Sequence, residues 1–205
     1  MTTDSPVLVL GSASPARLET LRRAGVEPVV VVSGVDESQV ADLAPAALAG
    51  ALARLKALAV VDRAEVPPGA LVLGCDSVLE LDGQAFGKPA DPAEAAARWR
   101  TMRGRSGVLH SGHSLHDTAS GASAEATVST TVHFAEVSDR EIADYVATGE
   151  PLHVAGAFTI DGFGGAFITR IEGDHHNVVG LSLPRLRELV AELGHSWTGL
   201  WSPAR

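Results

Sequence analysis

The stretch Val7-Leu-Val-Leu-Gly-Ser-Ala-Ser-Pro-Ala-Arg-Leu-Glu19 carries an apolar strand through Gly11 and Ser12 directly into a helix. Four consecutive apolar residues predict a strand buried on both faces, as in a sheet covered by helices on either side. Ser14 and Pro15 supply an N-cap and a favoured first helical residue, while Arg22 and Arg23 fall near the helix's negative end before Gly25 stops it. Where strand meets helix, backbone N–H groups, the Ser12 and Ser14 hydroxyls and the Arg17 guanidinium converge, which suits an anion such as phosphate. The plain alternative is an N-cap beside a surface arginine. The loop is no P-loop, because the Gly-Lys-Ser/Thr ending is absent.

Working outward, Glu27 to Ser33 reads as a second buried strand that delivers Asp36 and Glu37 at its end. The Ala- and Leu-rich segment from Pro45 to about Arg63 has helical periodicity, with Leu48, Leu52, Leu55 and Ala59 on one face and Lys56 among small residues. Leu71 to Cys75 reads as a third strand ending at Asp76-Ser77, followed by a hairpin turning at Asp82-Gly83 and then Gly87-Lys88-Pro89. Asp91 with Glu94, and Ser138 with Glu141, have capping-box spacing and open two further helices. Val108–Leu115 and Ala126–Val137 read as antiparallel strands around a turn at Ser120-Gly121. Residues 154–165 are glycine-rich, Phe167 to Ile171 is a strand, and Pro184 to Leu193 is the last helix. The tail from His195, with Trp197 and Trp201, is expected to dock on the body or on a partner copy, which keeps a homodimer open.

With 205 residues, 45% of them hydrophobic and 20% charged, the chain can bury a sizeable core. Its formal net charge of -9 argues against a nucleic-acid polymer or an anionic membrane as partner, while small phosphorylated ligands need only a local cluster of cations. Cys75 has no second thiol to pair with, no apolar run is long enough to span a bilayer, and Met1 to Pro6 lacks the pattern of a secretory signal. A cytoplasmic location is the expectation.

Three strand ends or adjacent turns therefore carry candidate chemistry: Ser12, Ser14, Arg17 and Glu19; Asp36 and Glu37; and Asp76, Ser77 and Lys88. Asp76 could serve as general base or metal ligand, or merely end its strand in a turn. Lys56 and Lys88 are cations available to a polyphosphate, although a solvated surface suits either as readily. His110, His113 and His116 recur every three residues, which on a strand sends the middle one to the opposite face, so they cannot jointly hold a metal. Cys75 reads as a small buried hydrophobe.

Taken together, Leu10-Gly-Ser-Ala-Ser-Pro-Ala-Arg17, Val35-Asp-Glu37, Leu52-Ala-Arg-Leu-Lys-Ala57, Gly74-Cys-Asp-Ser77, Gly87-Lys-Pro89, Ala155-Gly-Ala-Phe158 and Asn177-Val-Val-Gly-Leu181 resemble, in order, the Maf nucleoside triphosphate pyrophosphatases. The resemblance spans nearly the whole chain as one Maf-like domain, 1–205, with 195–205 as its tail. It implies an α/β fold like that of inosine triphosphate pyrophosphatases, a mixed sheet with flanking helices and two lobes around a cleft. It also implies hydrolysis of a nucleoside triphosphate to the monophosphate and pyrophosphate with a divalent metal, magnesium or manganese. Asp76 matches the family's proton acceptor, Arg17, Glu37, Lys56 and Lys88 its substrate- or metal-contacting positions, with Glu37 and Asp76 as metal ligands, and Ser12 and Ser14 its first loop. The family's older description as septum-formation inhibitors leaves an alternative, a nucleotide-sensing regulator of cell division that binds without turnover.

Three positions that the resemblance links to base choice depart from the family. A subgroup acting on thymidine and uridine triphosphates has arginine, threonine and glutamine where this chain has Ala16, Ser77 and Asp161. Another, acting on 7-methylguanosine triphosphate, has a bulky residue at the first position and glutamate at the last. Glutamine can both donate to and accept from the edge of uracil or thymine, whereas an ionised Asp161 can only accept, which favours a guanine edge or a cytosine amino group. Pyrophosphate release measured across a panel of triphosphates is therefore expected to show a weaker preference for uridine and thymidine triphosphates than in the first subgroup; a clear preference for thymidine triphosphate would refute it.

Overall fold

The computed structural model of the chain describes residues 6–36, 40 and 42–202. Its frame is a mixed seven-stranded sheet built from β1 (Leu8–Leu10), β2 (Val29–Val30), β3 (Leu71–Leu81), β4 (Gln84–Phe86), β5 (Ser106–Asp117), β6 (Ser123–Phe134) and β7 (Ile168–Glu172). The strands run in the order β2-β1-β3-β5-β6-β7, and β4 pairs with β3 off this path. β1 is parallel to β2 and β3, and the remaining pairings are antiparallel. Among the described residues six α-helices flank the sheet: α1 (Pro15–Arg23), α2 (Pro45–Val61), α3 (Pro92–Met102), α4 (Asp139–Ala147), α5 (His175–Val179) and α6 (Leu183–Glu192). The mixed α/β architecture expected from the sequence is the one present. Among the described residues no helix is long and apolar enough to cross a membrane.

Side-chain alternation assigns the helices to faces. Leu8, Leu10, Leu71, Leu73 and Cys75 point to one face and pack with Leu21 of α1 and Leu186 and Leu189 of α6, whereas Val9 and Val72 point to the other and meet Val60 of α2. A second core lies at the far end of β3, where Leu79 and Leu81 join Leu109, Phe134, Trp99 of α3 and Tyr145 of α4. Trp99 stacks edge-on against Phe134, Tyr145 and Phe167 at centroid distances of 5.5–5.7 Å. The clusters at the two ends of β3 share the long strands β3, β5 and β6.

α2 sits on the sheet through small residues. Ala49, Ala53, Ala57 and Val60 are buried with Leu52, and Leu48 and Leu55, expected on the inner face, are only half-buried. The reason is the closeness of the seat: a Cβ on Gly74 would come within 2.1 Å of the Ala53 carbonyl oxygen, and one on Gly112 within 2.1 Å of the Ala49 carbonyl oxygen. Glycine on the strands and alanine on the helix let the backbones approach where leucines would hold them apart.

The expected buried strand 27–33 shrinks to β2, whose Val29 and Val30 are exposed, because β2 is the sheet's edge and receives cover from β1 alone. The C-terminal tail docks on the body: Ser202 N–H donates to the Gly25 carbonyl at 2.8 Å, Leu200 is buried, and Trp201 lies against Gly25. At Asp82-Gly83 both residues have positive φ, the signature of the two-residue hairpin turn expected there. Replacing Gly74 by Ala should force α2 from its seat and lower stability by about 3 kcal/mol, read from the urea midpoint. Gly87→Ala, with nothing within 4 Å of the added carbon, should change it by less than about 0.5 kcal/mol.

Candidate active site

β3 is flanked by β1 only from Leu71 to Leu73 and by β4 only from Leu79 to Leu81. Between those limits β3 keeps β5 on one side and, among the described residues, has no strand on the other. Asp76 and Ser77 lie in this gap. They do not end their strand, as the sequence pattern implies, but sit mid-way along it, because β5 pairs with β3 without interruption from Val108 to Asp117 and carries it through. The Gly11–Ser14 loop leaves β1 at one lip of the gap, with Gly11 N–H bonded to the Leu73 carbonyl at 2.8 Å. Gly87 and Lys88 leave β4 at the other, after Phe86 has paired with Leu79.

Because successive strand residues alternate, Asp76 and Ser77 face opposite sides of the sheet. Asp76 shares the side of Gly74, under α2, and pairs with the Lys56 ammonium; each side chain is 13% exposed. Lys56 reaches it because the helix lies so close to Gly74. A pair this nearly enclosed interacts more strongly than a solvated surface pair.

Ser77 faces the other side and belongs to a chain of buried hydrogen bonds. Its Oγ lies 2.8 Å from Ser111 Oγ, and the Ser111 hydroxyl donates to the Asn177 carbonyl at 3.1 Å. Since the Ser111 proton is used there, Ser77 donates to Ser111 and accepts from Arg17 Nη2 at 3.1 Å. Arg17, only 9% exposed, also donates through Nη1 to Ser12 Oγ at 3.0 Å and through Nε to the Gly180 carbonyl at 2.9 Å. Its fork thus ties together the first loop, β3 and the end of α5, using three of five N–H groups and leaving two for an anion. Ser14 is the N-cap, accepting from Arg17 N–H at 3.4 Å, and its own N–H donates to Ser12 Oγ at 3.2 Å.

The remaining sequence-derived candidates fall at the margins. Lys88 is exposed, its preceding Gly87 carbonyl accepting from Gly156 N–H at 3.0 Å. Asp161 is exposed in a bend of the glycine-rich segment, and Ala16 is half-buried in the first turn of α1. Asp36 is exposed beyond β2, and Glu37 lies outside the described residues.

Sequence reading missed Ser111, Gly180, and the Cys75–His113 pair, which face each other across β3 and β5. Cys75 Sγ donates to the same Gly180 carbonyl at 3.1 Å, and His113 Nε2 accepts from Ser182 N–H at 2.9 Å, so both tie the segment after α5 to the floor of the gap. Burial pushes the Cys75 thiol up, but nearby His113 and Arg17 outweigh it and leave it below the ordinary thiol value. His110 turns to the opposite face, bonding Glu80 and Ser129 at 2.8 Å each, as the three-residue spacing predicts.

For a metal, Asp76 is the carboxylate that this ring of side chains offers among the described residues. One carboxylate completed by substrate oxygens is a donor set that suits magnesium or manganese. Asp174, His175 and His176 also set ligand atoms within 4.8 Å of one another. There Asp174 Oδ1 caps α5 by accepting from His176 N–H at 2.9 Å, and the two imidazole rings lie 3.8 Å apart, tilted by 38°.

A family model described as "Maf-like protein" matches residues 7–193. A Salinispora tropica protein named "Nucleoside triphosphate pyrophosphatase" is 66% identical over 197 residues, covering 95% of this chain and 87% of its own length. Proteins of the same name from Streptomyces coelicolor, 62% identical over 96% of this chain and 95% of their own, and Nostoc punctiforme, 50% identical over 96% and 98%, are similarly close. The gap in the sheet, with Asp76 and Lys56 on one face and Ser77 and Arg17 on the other, is accordingly the candidate active site of a member of the Maf-like protein family.

Proposed function

We propose that the protein hydrolyses a nucleoside triphosphate to the monophosphate and pyrophosphate, acting on free nucleotides in the cytoplasm. The observation that carries this reading is the placing of the Lys56–Asp76 pair inside a sheet gap whose two lips are the serine-rich loop and the Lys88 loop. The name shared by relatives at up to 66% identity supports it and does not favour the binding-only alternative.

Water attacking the α-phosphorus needs an acceptor for its proton, neutralised phosphate oxygens and a stabilised pyrophosphate leaving group. Asp76 is the acceptor or the metal ligand. Lys56 and Lys88 neutralise phosphate oxygens from two sides, and the first loop with the two remaining Arg17 N–H groups holds a phosphate by hydrogen bonds. A divalent metal, held by Asp76 and Glu37, would supply further charge and lower the pKa of a bound water.

Asp76→Asn keeps the shape of the side chain and removes its charge. It should cut turnover by at least about a thousandfold, with the circular dichroism spectrum unchanged. Product analysis should show pyrophosphate and not single phosphate leaving, in a metal-dependent reaction. Normal hydrolysis by the Asn variant would remove Asp76 from its role, and release of single phosphate would overturn the pyrophosphatase reading.

A further inference from the structure

The glycine-rich segment carrying Asp161 forms 3-10 turns at Ala155–Ala157 and Phe163–Phe167, and the bend between them is shaped by one carboxylate that the sequence pattern does not mark. Glu150 follows Gly149, which ends α4 with φ 77°. Its Oε1 accepts from the Tyr145 hydroxyl at 3.0 Å, the Thr159 hydroxyl at 2.5 Å and Gly164 N–H at 2.9 Å, and its Oε2 accepts from Phe163 N–H at 2.9 Å. Two donors come from each side of the 160–162 bend once Tyr145, which itself accepts from Thr159 N–H at 3.3 Å, is counted with the near side. Asp161 stands at the middle of the loop so gathered.

The seat is built for this carboxylate. A Cβ on Gly162 would come within 2.2 Å of Glu150 Oε2, and one on Gly164 within 2.5 Å of the Tyr145 hydroxyl. The root of the segment is fixed too: the Trp99 indole donates to the Ala157 carbonyl at 2.7 Å, and Tyr145 packs edge-on against Trp99 and Phe167. Gly156 rests on Leu79 of β3 and bonds the Gly87 carbonyl beside Lys88, so the loop is anchored to the Lys88 lip of the gap. Burial pushes the Glu150 carboxyl up, but the Thr159 hydroxyl, the Gly164 and Phe163 amides and the Tyr145 hydroxyl outweigh it and hold it below the usual value.

A group that accepts from four donors holds its loop only while it remains acceptor-only. An amide in its place would turn an NH2 toward N–H groups and leave some donors unmet. We propose that Glu150 is a positioning residue for substrate selection, its carboxylate holding the 159–164 bend so that Asp161 meets the nucleobase, without taking part in hydrolysis. This rests on the pyrophosphatase reading above and on the base-choice position that the family resemblance implies for Asp161.

The test uses the full chain as wild type, Glu150→Gln, Tyr145→Phe and Asp161→Ala, with kcat and KM for pyrophosphate release from ATP, GTP, CTP, UTP and TTP. Glu150→Gln should raise KM for the preferred triphosphate about tenfold with kcat within about threefold. Its spread of kcat/KM across the five bases should narrow toward that of Asp161→Ala. Tyr145→Phe keeps the ring in the aromatic core and deletes one donor, so its KM should rise only about two- to threefold. Amide exchange at Phe163 and Gly164 should accelerate in Glu150→Gln while the β3 amides stay protected, which reads the hold on the loop independently of activity.

Unchanged KM and base spread in a folded Glu150→Gln, or a fall in kcat at constant KM, would overturn the positioning role. Wild-type protein that releases no pyrophosphate from any triphosphate would overturn the pyrophosphatase reading, and the selection role with it. The exchange measurement would still show whether Glu150 holds the bend.

Discussion

The candidate site depends first on how closely α2 lies on the sheet. Gly74 and Gly112 present bare backbone to the Ala49, Ala53 and Ala57 turns of the helix, with no room for a Cβ at either strand position. Apolar burial would be larger with leucine at this contact, but a leucine would lift the helix and carry Lys56 away from Asp76. Close approach was kept at the expense of buried area, and the ion pair is the consequence. Stability is made up elsewhere, in the aromatic core around Trp99 and in the leucine cluster beneath α1 and α6.

Between these two cores the shared strands turn polar. Asp76, Ser77, Ser111, His113 and Ser114 occupy the middle of β3 and β5, where an ordinary sheet would be apolar on both covered faces. Such groups are costly unless satisfied; Ser111 and His113 are tied to α5 and the segment after it, at Asn177 and Ser182, as Cys75 and Arg17 are at Gly180, while Ser114 bonds Glu125. Gly180, with φ 117°, closes against the Arg17 side chain and Ser77. The bonds from the polar belt to Asn177 and Gly180 are therefore also those that fix Ser77 and Arg17.

How much of this is legible in the sequence follows the range of the forces involved. Local devices read correctly: the Ser14 N-cap, the reciprocal Ser138–Glu141 capping box, the Asp82-Gly83 turn and the β5–β6 hairpin around Ser120-Gly121; of the box expected at Asp91 and Glu94 the Asp91 cap is present, while Glu94 accepts from Ala90 N–H. The strand through Asp76 did not, since a polar Asp-Ser pair after an apolar run looks locally like a turn and only pairing with β5 keeps it extended. Nor did the inner face of α2, because periodicity ranks leucine above alanine and cannot know that glycines wait opposite. Asp76, Ser77 and Arg17 stand out in the sequence at a strand end and in an anion-suited loop, and Lys56 as a scarce cation; the family resemblance adds their roles, and the fold brings them to the gap. Ser111 and Glu150 carry no such local mark, because each acts through partners up to 66 residues away or through a loop without a regular period.

Asp76 and Asp161 are held by different kinds of structure. Asp76 rides on a strand with an unbroken ladder to β5 and beneath a helix locked by backbone contact, so its position can change only if the sheet does. Asp161 rides on a short bend defined by side-chain bonds to a single carboxylate, with Gly162 and Gly164 leaving room for that carboxylate and the tyrosine beside it. Substitutions at residue 161 can thus change what the bend presents without disturbing the ladder that holds Asp76. A change at Asp161 therefore costs less structure than a change at Asp76, which is held by the β5 ladder and the close seat of α2.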